Sequence, residues 1–250
     1  MQVSESRTHR CGAARTAWVS NHRPCCLSLM CGVSRLSLDE ALIGCEHGPS
    51  SCYTHPGALC ELGCPEMRII AGTHRGRRLQ TLTGPATRPT TGQVKEALFN
   101  IVRAQTANHD WLDLFAGSGA IGFEAASRGA KRVVLVESAA PAITIIAHNQ
   151  AALGLQQVEL FARDVTSALA WFTQHHQRFD VIFLDPPYEM DPTPVLQAIA
   201  ANPDLLRPGA WVVLEHRSAA QPPIDIVGLQ HRRTTRYGIS ALSFYHPTEA

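Results

Sequence analysis

A short apolar run followed by four rigid or reactive residues is the part of this sequence best suited to chemistry. Residues 181–184 are continuously apolar, as in a strand that is buried on both faces of a parallel sheet. Asp185 then supplies a carboxylate and Tyr188 an aromatic ring, while Pro186 and Pro187 between them remove two backbone donors. Because α/β folds bind ligands at the carboxyl ends of such strands, we predict a catalytic turn at these four positions. An ordinary turn that only closes a strand is the alternative.

These residue types suit the transfer of a group to the exocyclic amino group of a nucleobase. The lone pair of that nitrogen is delocalised into the ring, so the nitrogen is a poor nucleophile. Hydrogen bonds from its N–H groups to the Asp185 side chain and the Pro186 carbonyl would orient it and stabilise the developing positive charge. Tyr188 would stack on the base. The tetrapeptide resembles the D/N-P-P-Y/F motif of methyltransferases that use S-adenosylmethionine.

A glycine-rich unit for binding a cofactor precedes this motif. Gly117, Gly119 and Gly122 fit the G-x-G-x-x-G fingerprint between a strand at 111–115 and a helix, and Glu137 ends the next strand 20 positions after Gly117. Such a unit places a carboxylate near the hydroxyls of an adenosine ribose. By itself the unit fits NAD as well as S-adenosylmethionine, because both contain that ribose.

Two further acids lie where a cofactor could meet them. Asp113 lies in the strand ahead of the glycines and could approach the cationic amino-acid end of S-adenosylmethionine. Asp164 follows a strand at 158–162 and could bond the adenine amino group, although a helix N-cap explains it equally well. No hydride-transfer site is evident downstream, which favours S-adenosylmethionine over NAD.

The composition of the chain changes at residue 67. All eight cysteines lie within 1–66, without any C-x2-C pair, and 67–250 contain none. We therefore expect 1–66 to be a mostly unstructured extension, translated from upstream of the true start, rather than a zinc or disulfide module. No apolar run reaches the ~20 residues that a membrane span needs. We expect a cytoplasmic monomer without a resident metal.

The first part of the predicted domain, 67–105, is basic. A short strand at 67–70 opens it, and 67–95 contain six cations, Lys95 among them, but no acid. This pattern suits the phosphate backbone of a nucleic acid, and a solvated loop explains it equally well. A helix starting at Thr90 or Thr91 would present an anion site for the cofactor carboxylate or an RNA phosphate. The predicted RNA-contacting residues are Arg68, Arg75, Arg77, Arg78 and Arg88.

The remainder, 106–250, alternates strands and helices as a catalytic core would. That alternation predicts an α/β fold with a mostly parallel, doubly wound sheet. A turn at 205–211 is expected to lead into a fifth strand at 212–215, after which His216 and Arg217 face the same edge as the catalytic turn. Segments 231–237 and 240–245 predict a C-terminal antiparallel hairpin.

Several motifs, taken in order, resemble the RsmD family of bacterial methyltransferases, which modify a guanine N2 in 16S ribosomal RNA. The resemblance spans 67–250 and implies a Rossmann-like fold, S-adenosylmethionine as the donor and an assembling small ribosomal subunit as the substrate. One position departs from the family, because Gly92 stands where an acid usually follows Arg-Pro-Thr-Thr. The motifs are M-R-I-I-A-G at 67–72, R-G-R-R-L at 75–79, R-P-T-T at 88–91, E-A-L-F-N at 96–100, D-L-F-A-G-S-G at 113–119, S-R-G-A at 127–130, V-E at 136–137 and F-D-V-I-F-L-D-P-P-Y at 179–188. The cofactor site implied in this way, with the helix start added, is Asp113, Phe115, Ala116, Gly117, Ser118, Gly119, Glu137, Asp164 and Thr90.

Four other functions stay open at this point. A DNA amino-methyltransferase can share the motif, but 67–250 leave little room for a target-recognition domain, and such enzymes must flip a base out of a duplex. A protein-glutamine methyltransferase typically has Asn in place of Asp185. The glycine fingerprint alone would serve a nucleotide-binding oxidoreductase, and the basic segment a non-enzymatic RNA-binding module.

Overall fold

The computed structural model describes residues 67–82 and 92–248. The predicted extension 1–66, Arg88 and Thr90 lie outside these residues. The helices are α1 (Gly92–Ile101), α2 (Ala120–Ser127), α3 (Ala140–Leu153), α4 (Val165–Gln174) and α5 (Thr193–Ala200). The strands are β1 (Asp110–Leu114), β2 (Arg132–Glu137), β3 (Val158–Ala162), β4 (Phe179–Leu184), β5 (Leu206–Arg217), β6 (Asp225–Ile226), β7 (Leu229–Tyr237) and β8 (Ser240–Pro247).

The strands form one eight-stranded sheet in the order β3-β2-β1-β4-β5-β8-β7-β6. Strands β1 to β5 pair with one another in parallel, whereas β8 runs antiparallel to β5 and β7 antiparallel to β8. The predicted α/β class with a C-terminal antiparallel hairpin is confirmed. Strand order reverses between β1 and β4, and this reversal opens a crevice at the carboxyl edge of the sheet.

Alternating side chains of the central strands divide the core into two apolar layers. Trp111 and Phe183 face one layer, together with Phe123 of α2, while Leu112 and Leu184 face the other. Both faces of β1 and β4 are therefore covered, which explains why their sequences are apolar without alternation. Each such buried side chain contributes roughly 1.5–3 kcal/mol. The central strands thus hold their carboxyl ends in fixed positions.

Two strand predictions were wrong in their extent. Residues 67–70 form only a single bridge, Arg68 with Arg78, because the N–H groups of Ile70 and Ala71 donate to the Glu124 side chain instead of to a strand. Strand β5 begins at Leu206 rather than at 212. Its pairing with β4 shifts register between the first two residue pairs, so the Pro-Gly at 208–209 is accommodated in a bulge.

Within the described part of the chain, no helix is long and apolar enough to cross a membrane. Among 67–82 and 92–248, no three His, Cys, Asp or Glu side chains group as a metal site would require.

Candidate active site

The glycine-rich turn and the Asp-Pro-Pro-Tyr turn line one cleft of about 470 Å³, here termed the central cleft. Leu114 at the end of β1 pairs in parallel register with Leu184 at the end of β4, and the Asp185 N–H donates to the Leu114 carbonyl at 3.4 Å. The turns that follow two adjacent parallel strands must therefore meet. The central cleft is lined by Thr81, Leu82, Phe115, Gly117, Ser118, Glu137, Ser138, Ala139, Asp185, Pro186, Pro187, Tyr188, Met190 and Glu215.

The glycine turn, residues 115–119, has a backbone that few side chains tolerate. Phe115, Gly117 and Gly119 all have positive φ, at 63°, 56° and 78°. A Cβ at Gly119 would lie 2.6 Å from the Phe123 ring, so glycine is required there for space as well as for conformation. Gly122 lets α2 approach β2 closely, because a Cβ there would lie 2.1 Å from Leu135 Cδ2. The fingerprint glycines therefore fix the wall of the cleft.

Glu137, at the carboxyl end of β2, accepts hydrogen bonds from the backbone that follows β1 and from the backbone that follows β2. Its Oε2 accepts the Gly117 N–H at 2.8 Å, and its Oε1 accepts the N–H groups of Ser138 and Ala139, each at 2.8 Å. A carboxylate has about four lone-pair positions. The three hydrogen bonds from backbone N–H groups thus orient Glu137 and leave acceptor capacity for a ribose hydroxyl.

Asp113 is the most deeply buried acid of the predicted site, with 2% of its surface exposed. Its pKa is raised to about 8, chiefly by burial and also by the negative charges of Glu137 and Glu215. The hydrogen bond that it accepts from the Gly122 N–H, at 3.1 Å, acts in the opposite direction. Asp113 also lines a pocket of about 70 Å³ together with Gly117 and Asp185. A cation that arrives in this Asp113 pocket would favour the ionised carboxylate.

Asp164 serves as the N-cap of α4 and also lines a pocket beside the central cleft. Its Oδ1 accepts the Ser167 N–H at 2.9 Å, and this hydrogen bond lowers the pKa of the exposed carboxyl group. The adjoining Asp164 pocket, of about 180 Å³, shares Phe115 and Glu137 with the central cleft. Asp164 can therefore be the N-cap of α4 and also lie where it could accept a hydrogen bond from an adenine amino group.

The Asp164 pocket, the central cleft and the Asp113 pocket follow one another along the carboxyl edge of the sheet. Phe115 lines all three, Glu137 lines the first two, and Gly117 lines the last two. These three cavities form a groove with Asp164 at one end, Glu137 in the middle and the buried Asp113 at the other end. Three carboxyl groups arranged in this way can accept hydrogen bonds from an adenosine that carries a cationic amino-acid tail.

Tyr188 lines both the central cleft and a second cavity of about 350 Å³, here termed the outer pocket. The Arg217 guanidinium lies 4.4 Å from the centre of the Tyr188 ring, and the Tyr188 hydroxyl lies 3.5 Å from Ser240 Oγ. A cation over one ring face holds the ring in place. The outer pocket is lined by Pro186, Pro187, Tyr188, Met190, Asp191, Pro192, Thr193, Leu214, Glu215, His216, Arg217, Ala220, Gln221, Pro222 and Pro223.

Sequence reasoning missed Glu215, the acid at the carboxyl end of β5. Only 4% of its surface is exposed, and it lines both the central cleft and the outer pocket. His216 and Arg217, the next two residues, were instead predicted to face the same edge as the catalytic turn. His216 lines the outer pocket and is bonded to Ser243 Oγ at 2.8 Å, and burial lowers its pKa. An acid directly after an apolar strand was the available signal, since Glu137 and Asp185 occupy that same position.

Lys95, one of the six cations counted in the basic segment, does not face solvent and is not part of a basic surface. It is fully buried and donates to the Arg68 carbonyl at 2.6 Å, and its Nζ lies 3.5 Å from a carboxylate oxygen of Glu124. Burial lowers the pKa of Lys95. The Glu124 carboxylate also accepts the N–H groups of Ile70 and Ala71 at 2.7 and 2.9 Å. This buried pair therefore anchors the 67–82 segment to α1 and α2.

The segment 67–82, here termed the basic hairpin, runs along α2 and turns at its far end. The Thr73 N–H donates to the Ser127 carbonyl at 2.8 Å, and Arg77 donates to the Ala152 carbonyl at 2.9 Å, at the carboxyl ends of α2 and α3. The eight residues of α2 span about 12 Å. The hairpin tip, with Arg75, therefore lies at the opposite end of α2 from the glycine turn. Of the predicted RNA-contacting arginines, those at 68, 75, 77 and 78 belong to this hairpin.

Two other arginines lie at the carboxyl end of β5, beside the cleft. Arg217 covers Tyr188, and Arg236 of the neighbouring hairpin donates to the Ser218 carbonyl at 3.2 Å. The structure thus offers cations both beside the cleft and at the distant hairpin tip.

Comparison with known proteins gives consistent matches. The model of a family described as conserved hypothetical protein 95 matches residues 67–246. YlbH of Bacillus subtilis, named as a candidate rRNA methyltransferase, is 33% identical over 180 residues, which cover 72% of this chain and 98% of that protein. The ribosomal RNA small subunit methyltransferase D of Haemophilus influenzae is 36% identical over 152 residues, covering 60% of this chain and 78% of that protein. A hypothetical protein of Thermus thermophilus has a similar structure, with a TM-score of 0.63, 32% identity and coverage of 71% of this chain and 97% of that one.

Proposed function

The chain belongs to the family described as conserved hypothetical protein 95, and we propose that it methylates the N2 amino group of a guanine in 16S ribosomal RNA. The observation that carries this proposal is the shared lining of the central cleft by the glycine turn and the Asp-Pro-Pro-Tyr turn. A relative of 36% identity named ribosomal RNA small subunit methyltransferase D supports the choice of RNA and of subunit.

S-adenosylmethionine is the methyl donor, and when bound it supplies an electrophilic methyl group on a sulfonium ion. Glu137 accepts hydrogen bonds from the ribose hydroxyls, and Asp164 accepts one from the adenine amino group. At the other end of the groove, Asp113 and the glycine turn hold the amino-acid part. Thr90, which lies outside the described residues, is proposed to bind the carboxylate of that part.

Asp185 and Pro186 direct the amino group of the substrate. Their side-chain and carbonyl oxygens accept its N–H groups and hold the nitrogen lone pair toward the cofactor side of the cleft. The same two acceptors stabilise the positive charge that grows on nitrogen as the new bond forms. Tyr188, covered on one face by Arg217, stacks on the base. Pro187 keeps the turn rigid.

The substrate is proposed to be 16S ribosomal RNA within an assembling small subunit, modified by a cytoplasmic monomer. An RNA loop already presents unstacked bases, so the enzyme need not extrude its target from a duplex. The basic hairpin and the arginines beside the cleft contact backbone phosphates. Amino-methylation of another RNA or of DNA by the same cleft is the second candidate, because the Asp-Pro-Pro-Tyr turn does not by itself select guanine.

A methyl-transfer assay with labelled S-adenosylmethionine tests this function. Small ribosomal subunits that lack methylated guanines are the substrate, with naked 16S RNA and duplex DNA as the comparison, and the labelled nucleotide is mapped. We expect one labelled guanine N2 in the subunit. Label in DNA alone, or tight binding of NAD without binding of S-adenosylhomocysteine, would contradict the proposal.

A further inference from the structure

The outer pocket adjoins the central cleft and shares part of its wall. Pro186, Pro187, Tyr188 and Met190 line both cavities. The glycine turn, residues 115–119, contributes nothing to the lining of the outer pocket, and neither does Glu137. An occupant of the outer pocket therefore lies next to the substrate amine rather than next to the cofactor.

The wall of the outer pocket is rigid, largely apolar and poor in backbone donors. Five of its fifteen lining residues are prolines, at positions 186, 187, 192, 222 and 223. A proline ring fixes the backbone and leaves no N–H group, so these five positions cannot donate to a phosphate. Tyr188, Met190 and Leu214 add apolar surface. A flat group such as a nucleobase suits this wall better than a phosphate does.

Two polar side chains of the outer pocket also disfavour a phosphate inside it. Both ring nitrogens of His216 are bonded, Nδ1 to the Arg217 carbonyl at 2.9 Å and Nε2 to Ser243 Oγ at 2.8 Å, and burial lowers the pKa of this imidazole. Hydrogen bonds from Thr193 lower the pKa of Asp191, so its carboxylate stays ionised. The interior of the pocket therefore presents a neutral ring and a negative charge, which suit a base but repel a phosphate.

Arg217 supplies a cation where the two cavities meet. It lines the outer pocket, and its guanidinium lies 4.4 Å from the centre of the Tyr188 ring, which lines both cavities. Arg217 pairs with Glu189 at 3.7 Å, and the two side chains are 58% and 85% exposed. Such an exposed ion pair contributes little to stability, so a phosphate can take the place of Glu189.

We propose that the outer pocket binds the nucleobase next to the target nucleotide, while Arg217 contacts the phosphate that joins the two nucleotides. This inference rests on the proposed function. Proteins bind single-stranded RNA by stacking its unstacked bases on aromatic side chains, and this stacking tolerates any base because every base has a π face. The enzyme thus holds two successive nucleotides, and the second one anchors the strand while the first reacts.

An abasic nucleotide on either side of the mapped target, within reconstituted small subunits, tests this inference. Ala220→Trp fills the outer pocket from an exposed turn, and Ala219→Trp is the matched control, because Ala219 is equally exposed but does not line the pocket. We expect full-length wild type to lose about tenfold or more in kcat/KM when one of the two neighbouring bases is missing. Ala220→Trp should show a similar loss on intact RNA, and Ala219→Trp a loss below about threefold.

The two changes in combination separate base binding from damage to the RNA or to the protein. If the base occupies the pocket, Ala220→Trp should lose no more than about twofold further when that base is removed. Losses that multiply would overturn the inference, and so would abasic subunits of both kinds that wild type methylates as fast as intact ones.

Gln221→Trp, at a second exposed lining position, replaces Ala220→Trp should that variant fail to fold. Guanine methylation of intact subunits by wild type leaves the proposed function standing in each of these outcomes. Its absence would remove both the proposed function and this inference.

Discussion

Glu137 Oε2 lies 2.8 Å from the backbone nitrogen of Gly117, so one hydrogen bond joins the end of β2 to the glycine turn that follows β1. The bond closes the cofactor side of the crevice, and the same carboxylate is proposed to bind ribose. Changes at Glu137 should therefore weaken cofactor binding more than they weaken folding.

Glu137→Ala should lower the affinity for S-adenosylhomocysteine by roughly 10- to 150-fold, since hydrogen bonds to a charged group contribute about 1.5–3 kcal/mol. Isothermal titration calorimetry measures this loss. Glu159→Ala is the matched control, because Glu159 pairs with Arg132 on the surface, away from the groove. Equal affinities for wild type and Glu137→Ala would show that the ribose is bound elsewhere.

Gly122→Ala should destabilise the domain by about 1–3 kcal/mol, because its Cβ would lie 2.1 Å from Leu135 Cδ2 and would force α2 away from β2. Chemical denaturation measures the free energy of unfolding. Gly92→Ala is the control, since the nearest atom to a Cβ there is the Ile70 Cδ1 at 3.8 Å. A Gly122→Ala protein as stable as Gly92→Ala would contradict the close packing of α2 on β2.

Asp113 should make the stability of the cofactor-free protein depend on pH. Its pKa is raised by burial to about 8 in the folded state, from an ordinary value of 3.8. Between these values the folded state keeps a proton that the unfolded state has lost, so the contribution of Asp113 to stability is full below about pH 4 and falls as the pH rises toward 8.

Asp113→Asn removes this proton while keeping an oxygen that can accept the Gly122 N–H. The melting temperature of Asp113→Asn should therefore drop less between about pH 5.5 and pH 8 than that of wild type. Parallel pH profiles of the two proteins would show that Asp113 does not retain its proton.

Arg75→Ala combined with Arg77→Ala tests the basic hairpin as an RNA contact. The tip lies at the far end of α2 from the glycine turn, so the double variant should bind RNA more weakly while kcat at saturating RNA stays unchanged. The slope of log K against log salt should fall in size by about 0.7–0.9 per lost phosphate contact. Arg178→Ala, which removes an exposed partner of Asp204, is the control. An unchanged salt slope would exclude the hairpin tip from the RNA interface.

Local patterns were enough to predict the elements that carry the site. Strand β3 has the predicted bounds and β2 ends at Glu137 as predicted, because charged residues mark the ends of both apolar runs. The position of the two turns in one cleft followed from parallel strand order, since neighbouring parallel strands end at the same edge.

The wrong predictions concern residues whose partners are distant in the chain. Lys95 was counted in the basic cluster of 67–95, and no local signal showed that it is buried against Glu124, which comes 29 positions later. That same carboxylate takes the backbone donors that a strand at 67–70 would have used. The bulge at 208–209 depends on the register of β4 against β5, which no local signal gives.

The most direct test of the central claim is methyl transfer by Asp185→Ala, measured together with its affinity for S-adenosylhomocysteine. The account predicts that transfer to small ribosomal subunits falls by about 1,000-fold or more, because alignment and charge stabilisation at the amine are both lost. Cofactor affinity should remain within about threefold, because the hydrogen bonds that Glu137 accepts from the Gly117, Ser138 and Ala139 N–H groups do not involve Asp185. Normal turnover by this variant would contradict the assignment of Asp185 to the reacting amine.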